Sequence, residues 1–289
     1  MNASAIPRQA VTAVDSHAHV MHKNGPLVAE RHSAPSRDVD VGEYLGFLED
    51  FGISHGVLTA PSFSGTDNSV LLESLARAPT RLRGTVNVEP GVETEVLEDW
   101  HQRGVVGIRL NWTRRSALPD AASPAYAQLF EQVRKLGWHV ELFLEDAPLA
   151  DVLPRILDSG VNVVLDHFGA PDAAAGIRGP GFQQVLHALA TGRTWVKLSA
   201  PYRLGDIDPR RYVDALMAAG GPQRLLWASD FPWISHEGFD GGMHYRRCVD
   251  WLHEWVPDPA VRQIILTETP AHLFNFRDSP NVADPILIA

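Results

Sequence analysis

Eight short apolar segments recur along this 289-residue chain, and segments with helical periodicity separate them. Short apolar runs of this kind are typical of strands that are buried on both faces of a parallel sheet. The predicted strands are Ala13–Val20, Ile53–Ala60, Leu82–Val88, Val105–Asn111, His139–Leu144, Asn162–His167, Trp195–Ala200 and Leu225–Asp230. Eight strands that alternate with helices predict an α/β fold, a (β/α)8 TIM-type barrel, as a single domain over residues 1–289. An open doubly wound sheet is the alternative, although no Gly-x-Gly-x-x-Gly follows the first strand.

The helical segments have end signals that support this alternation. The predicted helices are Val41–Phe51, Ser69–Arg77, Glu93–Arg103, Ala125–Leu136, Leu149–Asp158, Phe182–Ala190, Pro209–Ala219, Tyr245–Trp255 and Pro259–Leu266. Gly52, Gly104, Gly137 and Gly160 each follow a helix and precede a strand, where a glycine commonly ends a helix. Residues 21–40 follow the first strand and are predicted to form an active-site loop over the barrel mouth. Residues 278–289 are predicted to be a C-terminal tail.

The composition limits the partners that this chain can have. Its formal net charge is −10, which argues against nucleic acid as a main partner. No run of 18 uncharged apolar residues occurs, so the sequence predicts no membrane span. Cys248 is the only cysteine, which excludes an intrachain disulfide and fits a cytoplasmic protein. The acidic surface would repel a small anionic substrate, so binding one would need a local group of basic residues. The composition is also compatible with a homo-oligomer.

The motif Asp15-Ser16-His17-Ala18-His19-Val20 lies in the first predicted strand. Alternate residues of a strand face the same side, so His17 and His19 are expected to lie side by side. Two imidazoles in this arrangement can bind a divalent metal or hold a substrate carbonyl oxygen between N–H donors. Ordinary surface histidines are the simpler alternative, but two other segments complete the same site.

His167 and Asp230 each stand at the end of another apolar strand. The carboxyl ends of parallel strands form one face of a barrel, so both are expected to join His17 and His19 there. In one mechanism these four residues hold one divalent metal, which acidifies a bound water. In the other no metal takes part; Asp230 activates the water and His17, His19 and His167 donate hydrogen bonds to the oxyanion. The sequence leaves both open.

Basic residues near the predicted mouth are candidates for binding a substrate anion. Arg109 lies within an apolar strand, so it is expected either to form an ion pair or to bind substrate. Arg115 and Arg203 follow strands on the same face and could complete an anion-binding cluster. Lys197 is predicted to form a structural ion pair inside the barrel. Glu145 is predicted to be a solvated loop carboxylate that caps the next helix.

Several stretches of the chain resemble the amidohydrolase superfamily. They are Asp15-Ser16-His17-Ala18-His19-Val20, Gly107-Ile108-Arg109-Leu110-Asn111, Lys135-Leu136-Gly137-Trp138-His139-Val140, Asp166-His167-Phe168-Gly169-Ala170-Pro171-Asp172, Lys197-Leu198-Ser199 and Leu226-Trp227-Ala228-Ser229-Asp230-Phe231-Pro232. Within the superfamily the chain is most similar to the 2-pyrone-4,6-dicarboxylate lactonases of the amidohydrolase-2 group. The resemblance implies a distorted barrel that hydrolyses a cyclic ester at its C-terminal face. It also implies catalytic roles for His17, His19, His167 and Asp230, with either no metal or one Zn or Mn ion bound by them. Substrate binding by Arg109, Arg115, Arg203 and Ser62 is implied as well.

Three positions depart from the lactonase pattern and change the expected substrate. Ser33 and Phe143 stand where those lactonases have tyrosines, and Ala170 stands where they have an arginine. A site with fewer donors is expected to take a substrate with fewer or differently placed negative groups. The leading hypothesis is a lactonase for a carboxylate-bearing lactone. The alternatives are a metal-dependent non-oxidative decarboxylase of an aromatic or unsaturated acid, and a barrel that binds an acid without catalysis.

Overall fold

Eight parallel strands form the centre of the protein in the computed structural model, which describes residues 10–276. The strands are β1 (Val14–Ala18), β2 (His55–Thr59), β3 (Leu82–Asn87), β4 (Val105–Asn111), β5 (His139–Phe143), β6 (Asn162–Leu165), β7 (Thr194–Leu198) and β8 (Leu225–Trp227). Each strand pairs in parallel with the next in chain order. The barrel closes where Ala18 pairs with Phe231, and the Asp230 N–H donates to the His17 carbonyl at 3.0 Å. The (β/α)8 prediction is confirmed, and the open sheet is excluded.

Helices alternate with the strands and surround them. They are α1 (Val41–Asp50), α2 (Ser69–Arg77), α3 (Thr94–Gln102), α4 (Pro124–Lys135), α5 (Asp146–Asp158), α6 (Pro180–Leu189), α7 (Pro209–Gly220), α8 (Tyr245–Trp255), α9 (Pro259–Gln263) and α10 (Thr269–Leu273). A π-helical segment, Ile264–Glu268, separates the last two, so the predicted helix Pro259–Leu266 is not continuous. The predicted tail, 278–289, lies outside the described residues. Within residues 10–276 no helix is long and apolar enough to cross a bilayer.

The strands that carry the predicted site residues end earlier than the sequence suggests. β6 ends two residues before His167, and β8 ends three residues before Asp230. His167 has φ 49° and Asp230 has φ 57°, and these left-handed conformations cannot continue a strand. His19 similarly follows the end of β1. The turns therefore present these side chains just beyond the carboxyl ends of the strands.

An apolar layer fills the base of the barrel. Side chains from six strands pack there against the segment that follows α8 and α9, and they are Val14, Val57, Val106, Val164, Trp195, Leu226, Ala271, Phe274 and Phe276. The Phe274 ring lies 5.4 Å from the ring of His139, at the start of β5. Gly107 makes room for this histidine, since a Cβ at position 107 would lie 2.5 Å from the His139 ring. A packed apolar layer therefore closes the barrel at the end opposite to the carboxyl ends of the strands.

Asp15 links the first strand to the turn that carries Asp230. Its buried carboxylate accepts hydrogen bonds from the backbone N–H of Ser229 at 2.9 Å and from the Ser229 hydroxyl at 2.6 Å. The Tyr245 hydroxyl donates to the same carboxylate at 2.8 Å. Burial raises the pKa of Asp15 above its usual range, and these hydrogen bonds oppose the rise. Asp15 thus fastens β1, the Ser229 turn and α8 together at the barrel seam.

We expect Asp15→Asn to lower the free energy of unfolding by about 2 kcal/mol, because an amide nitrogen would face buried donors in place of a charged acceptor. Urea denaturation followed by circular dichroism measures this change. Asp214→Asn is the matched control, since Asp214 is exposed on α7. Equal stability of the two variants would contradict the proposed role of Asp15.

Candidate active site

A cavity opens at the carboxyl ends of the strands. Residues from the carboxyl ends of seven of the eight strands and from the segments that follow them line it, and they are His19, His32, Ser33, Pro61, Ser62, Phe63, Arg109, Asn111, Thr113, Arg114, Phe143, Glu145, His167, Arg203, Asp230, Ile234, Ser235 and His236. Two of them, His32 and Ser33, belong to the predicted loop 21–40. This is the face on which barrels of this kind carry their chemistry.

The structure brings the four predicted central residues together: His19, His167 and Asp230 line the bottom of this cavity, and His17 lies buried beside them. The Nε2 atoms of three histidines face one oxygen of Asp230. Asp230 Oδ1 lies 3.5 Å from His17 Nε2, 3.8 Å from His167 Nε2 and 4.0 Å from His19 Nε2. All four side chains are buried. A small polar group at this point would contact several imidazoles and the carboxylate at once.

Four charged side chains lie directly beneath the histidines. The Lys197 ammonium lies 2.6 Å from Glu141 Oε2 and 3.1 Å from Asp166 Oδ1. The Arg109 guanidinium donates to Asp166 Oδ2 at 3.0 Å and lies 3.4 Å from Glu141 Oε1. When Glu141 is ionised, the charges of this buried cluster, Arg109, Glu141, Asp166 and Lys197, cancel. Lys197 forms the predicted ion pair, and Arg109 both forms an ion pair and lines the cavity.

The two carboxyl groups of the cluster titrate differently. Burial raises the pKa of Glu141 to about 7, and the neighbouring Asp166 carboxylate adds to the rise. Burial also opposes ionisation of Asp166, but Lys197, His17 and Arg109 together hold its pKa well below the usual range. Asp166 is therefore the firmly ionised partner of the two cations.

The central histidines are neutral at pH 7. Burial lowers the pKa of His19 to about 3, and Arg109 contributes to the same shift. Burial also lowers the pKa values of His17 and His167 well below the ordinary value. A neutral imidazole carries one proton, so each ring offers one N–H donor and one lone pair.

Hydrogen-bond partners assign the proton on two of these rings. His19 Nδ1 lies 2.7 Å from the Thr59 carbonyl, which only accepts, so Nδ1 carries the proton and Nε2 a lone pair. Lys197 Nζ lies 2.9 Å from His17 Nδ1, closer than Asp166 Oδ1 at 3.3 Å and Glu141 Oε1 at 3.5 Å, and because an ammonium only donates, this contact favours the His17 proton on Nε2. His17 Nε2 can then donate to His19 Nε2, which lies 3.2 Å away. His167 Nδ1 lies 2.9 Å from the Ser199 hydroxyl. A hydroxyl can donate or accept a hydrogen bond, so this contact is compatible with a proton on either nitrogen of His167.

The spacing of the central groups suits a divalent metal, but the protonation of His17 does not. A tetrahedral zinc site places its ligand atoms about 3.3 Å apart, close to the spacing of His17, His19 and Asp230. A ligating imidazole needs a lone pair on Nε2 and usually donates its other N–H to a carboxylate or carbonyl. In His17 the other nitrogen is Nδ1, which lies 2.9 Å from the Lys197 ammonium, so an N–H there would face a second donor. With its proton on Nε2, His17 does not fit a metal; a metal there would need the proton on Nδ1, which lies 3.3 Å from Asp166 Oδ1 and 3.5 Å from Glu141 Oε1.

The remaining predicted residues are distributed unevenly. Ser62 and Arg203 line the cavity, as the resemblance implies. Arg115 instead lines a neighbouring cleft, and the adjacent Arg114 reaches the main cavity. Glu145 is exposed and occupies the N-cap position of α5, as predicted, but its side chain accepts no capping hydrogen bond, so that part of the prediction is wrong.

Sequence reasoning missed several residues that support the site. Thr59 and Ser199 orient two of the histidines, and Tyr202 contacts Asp230. These contacts join residues far apart in the chain and leave no local pattern. Glu141 did leave a signal, because it is a charged residue inside an apolar strand and lies in register with Arg109.

Comparisons with known proteins agree over nearly the whole chain. A family model described as Amidohydrolase matches residues 14–276. The 4-sulfomuconolactone hydrolase of Rhizobium radiobacter is 29% identical over 285 residues, which cover 93% of this chain and 91% of that protein.

Two solved structures are also similar to this chain. The structure of a candidate 2-pyrone-4,6-dicarboxylic acid hydrolase from Pseudomonas putida is 37% identical, with a TM-score of 0.85 over 93% of this chain and 99% of that one. A second candidate for that activity, from Acinetobacter baumannii and with citric acid bound, is 30% identical, with a TM-score of 0.87 over 92% and 100% of the two chains.

We expect the double variant Lys197→Met, Glu141→Gln to gain a zinc site. The change removes one charge of each sign and lets His17 Nδ1 donate to Asp166 Oδ1, 3.3 Å away, which frees the Nε2 lone pair. Equilibrium dialysis against Zn²⁺ followed by metal analysis measures the uptake.

The matched control is Lys135→Met, Glu131→Gln, which removes an ion pair of 3.5 Å on the surface. The wild type and this control are expected to retain substoichiometric zinc. Tight binding of one zinc per chain by the wild type would contradict the assignment of the His17 proton.

Proposed function

Because the chain belongs to the amidohydrolase family, whose model matches residues 14–276, we propose that it is a hydrolase that opens a lactone bearing a negatively charged group. Asp230 is the general base in this proposal. The observation that carries it is the convergence of the His17, His19 and His167 Nε2 atoms on Asp230 Oδ1 at the bottom of an open cavity.

The reaction needs a water, a base and a donor for the oxyanion. Asp230 Oδ1 takes a proton from the water while the water oxygen attacks the lactone carbonyl carbon. The carbonyl π electrons move to its oxygen, and this oxyanion replaces His19 Nε2 as the acceptor of the His17 Nε2–H. The tetrahedral intermediate then collapses, the ring C–O bond breaks, and the Asp230 carboxyl returns the proton to the leaving oxygen. The product is an open hydroxy acid, and Asp230 is again a carboxylate.

The surroundings of Asp230 suit a base. Burial raises its pKa above the usual range, while Arg203 and the Tyr202 hydroxyl oppose the rise. A carboxylate with a raised pKa accepts a proton from water more readily than an exposed one. The neutral His19 offers a lone pair rather than an N–H at Nε2, so the donor role falls first to His17. No step of this mechanism passes through a metal.

Charge around the mouth supports an anionic substrate. Arg109 is already paired with Asp166 and Glu141, so its charge is offset within the protein. Arg203 stands over the Phe143 ring at 5.5 Å, and its Nε is buried without a hydrogen-bond partner. Arg114 lies on the same wall. A carboxylate or sulfonate of the substrate would give Arg203 Nε the acceptor that it lacks and would lie near the charge of Arg114.

The lactonase proposal is preferred to a decarboxylase. The relatives described above are named for hydrolysis of a sulfomuconolactone and a pyrone dicarboxylate, whereas decarboxylase structures resemble this chain at 16% identity, a likeness of fold alone. The decarboxylase alternative stays a prediction, and it differs in releasing carbon dioxide without opening a ring.

We expect Asp230→Asn to lower kcat by about 10²–10⁴-fold on any lactone that the wild type hydrolyses, because an amide cannot take a proton from water. Acid release across a panel of carboxylated and sulfonated lactones identifies the substrate, and carbon dioxide is measured in parallel. Asp214→Asn on the exposed face of α7 is the control. Turnover by Asp230→Asn at the wild-type rate would remove the base assignment.

We expect Arg203→Met to raise KM by about 10-fold or more, because the variant leaves the substrate anion without a charge-assisted hydrogen bond. Arg114→Met is expected to have a smaller effect, since Arg114 is exposed to solvent, and Arg178→Met, on a loop outside the cavity, none. Steady-state kinetics with one anionic lactone and its methyl ester separates charge recognition from general binding. A KM for the ester that rises as much as that for the anion would count against recognition of the anion.

A further inference from the structure

Tyr202 contacts the base from outside the cavity. It lies in the short 3₁₀ turn after β7, Pro201–Arg203, and its hydroxyl donates a hydrogen bond of 2.5 Å to Asp230 Oδ2. Its neighbours Arg203 and His236 line the cavity, whereas Tyr202 does not. Its contact with the site therefore runs through Asp230.

The two carboxylate oxygens of Asp230 have different surroundings. Oδ2 accepts from Tyr202 and lies 3.9 Å from the Arg203 guanidinium. Oδ1 faces the Nε2 atoms of the three histidines. One oxygen is thus held by the protein, and the other is directed to the place where water and substrate would meet.

The backbone alone does not fix this orientation. The Asp230 N–H donates to the His17 carbonyl at 3.0 Å, and the Asp230 carbonyl accepts from the Trp233 N–H at 2.8 Å. These bonds hold the main chain but leave rotation of the carboxyl group free. Tyr202 is the described residue that restrains this rotation by a direct hydrogen bond.

Aromatic packing holds the Tyr202 ring in place. The ring stacks on His236 with centroids 4.5 Å apart and planes 25° apart, and Phe239 lies at 5.6 Å on the same loop. Burial raises the pKa of the Tyr202 hydroxyl well above its ordinary value, and the Asp230 carboxylate adds to the rise. The hydroxyl therefore keeps its proton at neutral pH and remains a donor.

We propose that Tyr202 is a positioning residue for the general base: its hydroxyl holds Asp230 Oδ2, so Oδ1 is the oxygen that takes the proton from water. The role of Oδ1 in catalysis rests on the function proposed above. The hydrogen bond itself is a property of the protein without substrate and can be tested separately.

Loss of the hydroxyl has a consequence with a definite sign. A donor to a carboxylate favours the ionised form, so Tyr202→Phe raises the pKa of Asp230 further above the wild-type value. In the variant the carboxylate becomes available at higher pH, and the acid limb of kcat/KM moves upward by about one pH unit. Away from that limb, kcat falls about 10-fold or more while KM changes little, because the carboxyl group is free to rotate.

The experiment compares the wild type with Tyr202→Phe and Tyr212→Phe. Tyr212 is a matched control, because its buried hydroxyl has no hydrogen-bond partner and its ring packs on Phe182 away from the site. Selective ¹³Cγ labelling of aspartate follows the titration of Asp230 by NMR, and the signal is assigned by its absence in Asp230→Asn. Kinetics are measured on the lactone identified from the panel, and circular dichroism verifies the fold of each variant.

A raised Asp230 pKa in Tyr202→Phe, with Tyr212→Phe unchanged, supports the proposal. An Asp230 titration that matches the wild type overturns it, whatever happens to activity, because a residue that only supports the fold would lower rates equally at every pH. If no lactone is hydrolysed, the proposed function fails, and the NMR titration still decides the hydrogen bond. If Asp230→Asn is inactive and Tyr202→Phe has wild-type kcat, the positioning role alone fails.

Discussion

Compensation of charge inside the barrel is the condition on which this site depends. Each ion removed from water costs several kcal/mol unless a partner of opposite charge stands close by. Lys197 and Arg109 supply two positive charges, and Glu141 and Asp166 supply two negative ones, within ion-pair distance of one another. When Glu141 is ionised the sum is zero, and this cluster then lies under the histidines without imposing a net charge on them.

The cluster serves the chemistry more directly than it serves stability. Well-packed apolar residues could fill the same space at least as favourably. What an apolar layer could not do is donate a hydrogen bond to His17 Nδ1, as Lys197 does at 2.9 Å. That bond favours the His17 proton on Nε2, where it faces His19 Nε2 and Asp230 Oδ1. With lone pairs on their Nε2 atoms, the three histidines and Asp230 could hold a metal instead. The cluster therefore favours hydrogen-bond donation by His17 over metal binding.

The sequence predicted the architecture and the central residues because both depend on local patterns. Eight apolar runs specify the strands, and His167 and Asp230 stand out because each ends such a run. The short strand ends were not predictable, since the left-handed turns at these residues follow from hydrogen bonds to distant segments. The location of the protons and the Tyr202–Asp230 contact depend on distances across the barrel. Arg114 rather than Arg115 reaches the cavity for a similar reason, because the path of that loop decides it.

The base of the barrel has an implication for biosynthesis. Ala271, Phe274 and Phe276 cover the apolar side chains of the strands from below, yet they follow all eight strands in the chain. A ribosome therefore synthesises every strand before it synthesises these three residues. Until then the apolar side chains at the base of the barrel stay exposed to water. A nascent chain that ends before Phe274 exposes the kind of apolar surface that chaperones bind. Completion of the native fold therefore requires a segment, Ala271 to Phe276, that contributes no residue to the candidate active site.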